Sequence, residues 1–232
     1  VLPVRSMSSY AKDKAALYEQ FARVGKALCS ARRLEIVDLL LQADRTVEGL
    51  ARETGMSVAN TSQHLQVLKQ ARVVDSERSG NHVIYRVASE YVGGLLTSIQ
   101  QFAEAGLAEV DAITRRFHEG RRDMEAVDRA QLMSRAQAGD VIVLDVRPRT
   151  EYEAGHLPFA ESLPLEQLEY RLASLPRDRQ IVAYCRGPYC VLAVEAVERL
   201  REKGFDAVRL KDGVREWQEY GLPIEHEKAT SR

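Results

Sequence analysis

The sequence predicts two domains, a mainly α unit followed by an α/β unit with a central parallel sheet. Three observations predict this. At 232 residues the chain is long for one compact domain and comfortable for two small ones. Helical periodicity runs from Tyr10 to Leu68, then gives way to a period of two around Ser79-Gly80-Asn81. From Met124 onward, continuous apolar runs alternate with helical segments, as when helices cover both faces of a sheet.

The elements follow in order. Tyr10 to Val24 reads as an amphipathic helix, and Arg32 to Leu41 as a second with Leu34, Ile36, Val37, Leu40 and Leu41 inward. Thr46 is a good N-cap, and Val47, Leu50 and Ala51 make a short helix closed near Gly55. Ser57 caps the next helix, in which Val58, Thr61, Leu65 and Leu68 recur at helical spacing. Val73, Val74 and then Val83, Tyr85 and Val87 flank the Ser79-Gly80-Asn81 turn, a strong hairpin signal. Helix, helix, helix-turn-helix and hairpin together spell a winged helix-turn-helix. A long helix follows, from Glu90 to Phe117, with Leu95, Leu96, Ile99, Phe102, Leu107, Val110 and Ile113 apolar. A helix so apolar needs a partner, so it reads as a dimerisation helix packing with the first, and the chain as a homodimer. The basic stretch Arg115 to Arg122 makes a linker.

In the second half, Val141 to Leu144 ends in Asp145 and Ile181 to Tyr184 ends in Cys185, as buried parallel strands do; Ala207 to Leu210 is a third strand. Helices are expected at Leu165 to Leu175, Val191 to Lys203 and Val214 to Tyr220. The domains are placed at 8–118 and 124–226.

Bulk properties exclude several classes. No apolar run approaches the ~20 residues that span a bilayer, so no membrane role is expected. Val1 to Ser6 holds one Arg and no following apolar core, so it does not read as a secretory signal, and Met7 is taken as the natural start. Three cysteines do not make a disulfide scaffold; a reducing cytoplasm with one working thiol fits better. The net charge of −1 hides an asymmetry: residues 1–88 carry 13 Lys and Arg against 9 Asp and Glu, the rest 20 against 25. The basic half suits a polyanion, though only weakly.

Two sites emerge. On the Ser57 helix, Asn60, Ser62, Gln63 and Gln66 oppose the inward Thr61, Leu65 and Leu68, and His64 lies among them. Short polar side chains at a helix N-terminus suit base edges and phosphates in the major groove of double-stranded DNA. Arg78, His82 and Arg86 on the hairpin would meet phosphate or the minor groove. The segment SVANTSQHLQVLKQARVV resembles the recognition helix of the ArsR family of regulators, over roughly residues 10–115. Many members sense metals, but Thr46 to Thr54 lacks the paired cysteines of their soft-metal sites. Asp111 and His118 lack a second nearby His, so no metal site is expected. Cys29 reads as a small buried residue near a helix start, where family members often have Asp-Pro.

The second site is Cys185-Arg186-Gly187-Pro188-Tyr189-Cys190, after a buried strand and before a helix. Successive amides and a helix N-terminus there would stabilise a thiolate or the terminal sulfur of a persulfide. Gly187 lets the backbone curl, Pro188 fixes φ, and Arg186 adds a positive charge for an anionic donor. With Asp145-Val-Arg147, Glu151 to Pro158 and Asp212 to Trp217, the loop resembles the rhodanese family over roughly Met124 to Ile224. The resemblance implies a sulfurtransferase with Cys185 as sulfur carrier, a sulfane-sulfur donor such as thiosulfate or a persulfide, and no cofactor. Asp145 and Arg147 would hold the loop, while His156 and Trp217 would be structural. Phosphatases and arsenate reductases of this fold have loops one residue longer, which favours sulfur transfer. Cys190 either packs at the first helical turn or resolves a Cys185 persulfide into a bridge. The function expected is a DNA-binding regulator that carries or senses sulfane sulfur; the alternative is a sulfurtransferase using the winged helix as a dimerisation scaffold.

Overall fold

The computed structural model describes residues 7–117 and 129–227. The chain divides into two compact units, residues 1–105 and 106–232. His118 and the linker residues 118–122 lie outside the described residues; Arg115 and Arg116 belong to a helix.

The first unit contains α1 (Met7–Leu28), α2 (Ala31–Gln42), β1 (Arg45–Thr46), α3 (Val47–Thr54), α4 (Val58–Gln70), β2 (Val74–Ser79), β3 (His82–Val87) and α5 (Tyr91–Gly106). Thr46 caps α3 by accepting the Gly49 amide at 3.1 Å, and Ser57 caps α4 by accepting the Asn60 amide at 3.2 Å. The strands form an antiparallel sheet of order β1-β3-β2, a hairpin with one extra short strand that periodicity had not revealed. Ile36, Val37, Leu50, Leu65, Leu68 and Val74 form the centre of its core.

The turn between α1 and α2 is held by Arg33, whose guanidinium donates to the carbonyls of Lys26, Ala27 and Cys29 at the end of α1. This turn corrects the reading of Cys29 as buried. The thiol is exposed, beside a groove of about 780 Å³ lined by Phe21, Leu28, Leu34, Leu95 and Ile99. Val58, expected inward, is 47 % exposed because it opens the first turn of α4, ahead of the inward row set by Thr61. The helix expected over Glu90 to Phe117 is broken: α5 ends at Gly106, and α6 (Ala108–Phe117) starts anew with the Val110 amide on the Leu107 carbonyl. Of its apolar residues Leu96 is buried, whereas Leu95, Phe102, Leu107 and Ile113 stay exposed. Tyr18 and Phe21 of α1 are exposed as well.

The second unit continues with α7 (Arg129–Ala138), β4 (Val141–Asp145), α8 (Arg149–Ala154), β5 (Ala160–Ser162), α9 (Leu168–Arg171), β6 (Gln180–Tyr184), α10 (Leu192–Glu202), β7 (Ala207–Arg209) and α11 (Val214–Glu219). Its four strands form a parallel sheet of order β5-β4-β6-β7. One face packs Ile142, Leu144, Ile181 and Ala183 under Val197 and Leu200 of α10. The other packs Val143, Val182 and Val208 with Leu132 of α7 and Trp217 of α11. Burial on both faces is why Val141–Leu144 of β4 and Ile181–Ala183 of β6 are continuously apolar rather than apolar at alternate positions. The helix expected over Leu165 to Leu175 is α9 flanked by two 3₁₀ turns. Among the described residues no helix is long and apolar enough to cross a membrane.

Leu65 is fully buried beneath α4, while Gln66 next to it is exposed. Leu65→Ala should cost about 2–5 kcal/mol in denaturant unfolding. Gln66→Ala should stay within about 0.5 kcal/mol of the parent. Equal costs would mean that α4 is not seated as described.

Candidate functional site

The first candidate surface lies on α4 and the β2–β3 hairpin. Asn60, Gln63 and Gln66 are exposed, and Ser62 and His64 are half-buried, above the buried Thr61, Leu65 and Leu68. Ser57 is engaged as the helix cap, and Thr61 Oγ1 donates to the Ser57 carbonyl at 3.0 Å. The α4 N-terminus is thereby fixed while the amides of Gln63 and Gln66 stay open to an external partner. On the hairpin, Arg78 and His82 are exposed near the turn. Arg86 is exposed too, but its guanidinium donates to Glu77 across the strands at 2.7 Å. That carboxylate raises the Arg86 pKa and offsets the charge a phosphate would meet. Asp111 forms an exposed ion pair with Arg115 one turn along α6.

The second candidate site is the loop from Cys185 to Cys190, between the end of β6 and the start of α10. Its base is a buried clamp. Asp145, at the end of β4, accepts from the Arg147 amide at 3.0 Å, from Arg147 Nη2 at 2.6 Å and from the Tyr184 hydroxyl at 2.6 Å. Arg147 also donates to the Gly155 carbonyl at 2.7 Å, and Tyr184 Oη accepts the Leu157 amide at 3.1 Å. Burial works against the Arg147 charge, yet the bonds to Asp145 outweigh it and the pKa is raised. Burial likewise raises Tyr184, with the Asp145 charge adding to it, so the phenol keeps its proton and donates it. Asp145 and Arg147 thus grip the residue before Cys185 rather than the thiol itself.

Above the clamp the loop is tight. Gly187 has φ +128°, a conformation that side chains disfavour, and a Cβ there would lie 2.8 Å from Glu216. A Cβ on Gly213 would lie 2.5 Å from the Arg186 carbonyl carbon, so the α11 turn is pressed against the loop backbone. Glu216 accepts the Gly213 amide at 2.8 Å and is itself raised by burial, which the Gly213 amide opposes. Arg186 does not point freely into the site: it donates to the fully buried Glu151 at 2.7 and 3.0 Å. Tyr189 is exposed and Pro188 half-buried.

The two thiols share this loop. Cys185 is buried, and its Sγ lies 3.6 Å from the Cys190 carbonyl oxygen. Burial and the neighbouring Cys190 push the Cys185 thiol up, against the amides of Ala193 and Gly187. Cys190 is pulled down to about 7, first by the hydrogen bond from Cys185, then by the amides of Arg186 and Leu192 and the Arg186 charge. The two thiols are coupled, so the loop gives up its first proton as a pair.

His156 and Trp217 are buried with internal partners. His156 stacks on Tyr152 at 3.7 Å and its Nδ1 faces the Tyr152 carbonyl at 2.8 Å; Trp217 Nε1 donates to the Pro223 carbonyl at 2.9 Å. Sequence reasoning gave no role to Tyr184, Glu151 or Gly213. A tyrosine closing an aliphatic run was the one available signal.

In a Cys29→Ser background, alkylation of the loop by a small neutral reagent should rise as pH climbs through about 7, where the pair deprotonates. Arg186→Gln removes the cation beside Cys190 and should move that midpoint upward. A midpoint at the free-thiol value of ~8.5 in both proteins would refute the shared thiolate.

Two family models match. The bacterial regulatory protein, arsR family, matches residues 30–76, and the rhodanese-like domain matches residues 128–220. The chain is 45 % identical over 219 residues to the HTH-type transcriptional regulator Rv0324 of Mycobacterium tuberculosis, covering 94 % of this chain and 96 % of that one. It is 33 % identical over 100 residues to a sulfurtransferase of Allochromatium vinosum, covering 42 % of this chain and 92 % of that protein. The homodimeric winged helix-turn-helix domain Mb0332 of Mycobacterium bovis is 42 % identical, with a TM-score of 0.41, over 47 % of this chain and 95 % of that one. With one relative matched end to end and each half matched by its own model, the chain belongs to the ArsR-type transcriptional regulators that carry a C-terminal rhodanese domain.

Proposed function

We propose that this regulator binds double-stranded DNA as a cytoplasmic homodimer and takes up sulfane sulfur on Cys185 as a persulfide, which changes its hold on DNA. The observation that carries the reading is the presence in one chain of an open polar helix face and a strand-end thiol ringed by amides. In the DNA half, Gln63 and Gln66 on α4 read base edges, and Arg78 and His82 contact the backbone. The exposed apolar residues of α1 and α5, Phe21, Leu95 and Phe102 among them, supply the face for a second copy. In the sulfur half, Cys185 attacks the outer sulfur of a donor such as a small persulfide or thiosulfate. The amides of Gly187 and Ala193 then hold the transferred sulfur.

A second reading has support in the likeness of the C-terminal half to a sulfurtransferase. Here the chain is an enzyme handing sulfur to an acceptor, with the winged helix only holding two copies together. The two readings separate on DNA.

A duplex selected from a random library should bind with an affinity that falls steeply with salt, through phosphate contacts. Gln63→Ala should lose about 1–3 kcal/mol of sequence discrimination with its fold intact. Absence of any sequence preference would favour the scaffold reading.

Loading with a sulfane-sulfur donor should weaken operator binding of the parent roughly 5- to 150-fold, the usual range for such coupling. Cys185→Ser, whose alcohol is not ionised at neutral pH, should neither gain sulfur nor respond. Equal weakening of both proteins would trace the effect to Cys29, Cys190 or a nonspecific action of the donor and remove the sensing role of Cys185; no change in either would remove it as well.

A further inference from the structure

Cys190 is a second nucleophile that single-cysteine sulfur transfer does not use. The loop folds back on itself where the Cys190 amide donates to the Gly187 carbonyl at 3.2 Å. This turn brings Cys190 over Cys185, whose Sγ lies 3.6 Å from the Cys190 carbonyl oxygen. The Cys185 thiol donates to the Cys190 carbonyl, and each cysteine has its own pair of amides: Gly187 and Ala193 at Cys185, Arg186 and Leu192 at Cys190. A cysteine that merely filled space at the helix start would need none of these donors. Cys190 is also half-exposed, whereas Cys185 is 2 % exposed, so a group leaving past Cys190 has a way out.

We propose that Cys190 is the resolving thiol of the site, converting a Cys185 persulfide into a Cys185–Cys190 disulfide with release of hydrosulfide. The proposal rests on the reading of Cys185 as sulfur acceptor and adds the fate of the sulfur. In the first step the Cys185 thiol gives up its proton and, as thiolate, attacks the outer sulfur of a small persulfide, the proton going to the departing donor. A new S–S bond forms, the donor's S–S bond breaks, and the donor leaves as a thiol. In the second step the Cys190 thiolate attacks Cys185 Sγ, now the inner sulfur. The bond between Cys185 Sγ and the outer sulfur breaks, and HS⁻ leaves with the proton the persulfide carried. The two cysteines are oxidised to the disulfide, and the sulfane sulfur is reduced to sulfide. A low-molecular-weight thiol resets the pair, two equivalents giving back both cysteines and one small disulfide.

Attack on the inner sulfur follows from place. The Cys190 main chain lies against Cys185 Sγ itself, its carbonyl oxygen 3.6 Å away, while an added outer sulfur would extend beyond Sγ. The lowered pKa of Cys190, at about 7, keeps a large fraction as thiolate at neutral pH. The loop then has two covalent end states, dithiol and disulfide, rather than a persulfide that decays slowly.

The test uses the full chain with Cys29→Ser, alone and with Cys190→Ser or Cys185→Ser. Each is treated without oxygen with glutathione persulfide and followed by intact mass and sulfide release. The chain holding both loop cysteines should lose two hydrogens, retain no extra sulfur and release one hydrosulfide per chain. Trypsin cuts after Arg186, between the two cysteines, so their peptides should stay linked until reduced. The Cys190→Ser chain should instead hold one added sulfur, and the Cys185→Ser chain should stay unchanged. Stable retention of the added sulfur by the chain with both cysteines, as in Cys190→Ser, would overturn the resolving role. Failure of the Cys190→Ser chain to gain sulfur would overturn the acceptor role of Cys185 and the step built on it, a separate and distinguishable result.

Discussion

The Asp145–Arg147 ion pair is almost completely closed off from water, and the sulfur site is built on it. Burying two charges costs several kcal/mol each unless every polar atom finds a partner. The carboxylate takes the amide and guanidinium of Arg147 and the hydroxyl of Tyr184, and the guanidinium takes the Gly155 carbonyl as well. Removing one partner from such a pair costs typically ~3–5 kcal/mol, because the other charge is left stranded. Well-packed apolar residues of similar volume often match a buried ion pair in stability. What the charged pair adds is direction, since forked donors and a phenol fix the end of β6, and the first residue beyond that end is Cys185.

A second charge pair has a different consequence. Arg186 is bound to the fully buried Glu151, which offsets part of its positive charge and leaves only the remainder to act on Cys190. The amides of Gly187, Ala193 and Leu192, together with that of Arg186 itself, are left to hold negative charge on sulfur. That division requires the backbone, not side chains, to face the thiols. It explains the two positions at which a β-carbon cannot be accommodated: Gly187 against Glu216, and Gly213 against the Arg186 carbonyl. The tightness of the loop and the electrostatics of its sulfurs are therefore one property.

Most of this architecture was legible in the residues. Caps at Thr46 and Ser57, the turn at Ser79-Gly80-Asn81 and the continuous apolar strands each follow from local chemistry, and each element formed where that chemistry placed it. What was missed depends on information that periodicity does not carry. The break between α5 and α6 interrupts an apolar pattern that continues through it. The strands β1 and β5 are too short to show a period. Cys29 reads as buried by residue type, but the Arg33 cap at the end of α1 sets the turn and leaves the thiol outside. At the site the cysteine and its loop were visible, whereas the roles of Tyr184, Glu151 and Gly213 arise from contacts with Asp145 and Arg186, far away in sequence, which no spacing rule reports.

The two units differ in how tightly recognition is tied to stability. On α4 the residues that face outward carry no part of the core, so they can vary while Leu65 and Leu68 hold the helix. In the rhodanese unit the chemistry and the packing use the same atoms. Any link between the two is bounded by thermodynamics: sulfur on Cys185 changes DNA affinity only as far as DNA changes the equilibrium of that sulfur, by the same factor in reverse. A reversible persulfide would report the donor's concentration through this factor and be depleted by operator binding. A disulfide that has released hydrosulfide is no longer in equilibrium with the donor. It is returned only by a reducing thiol, so the regulator would read the balance between sulfane sulfur and reductant rather than either one alone.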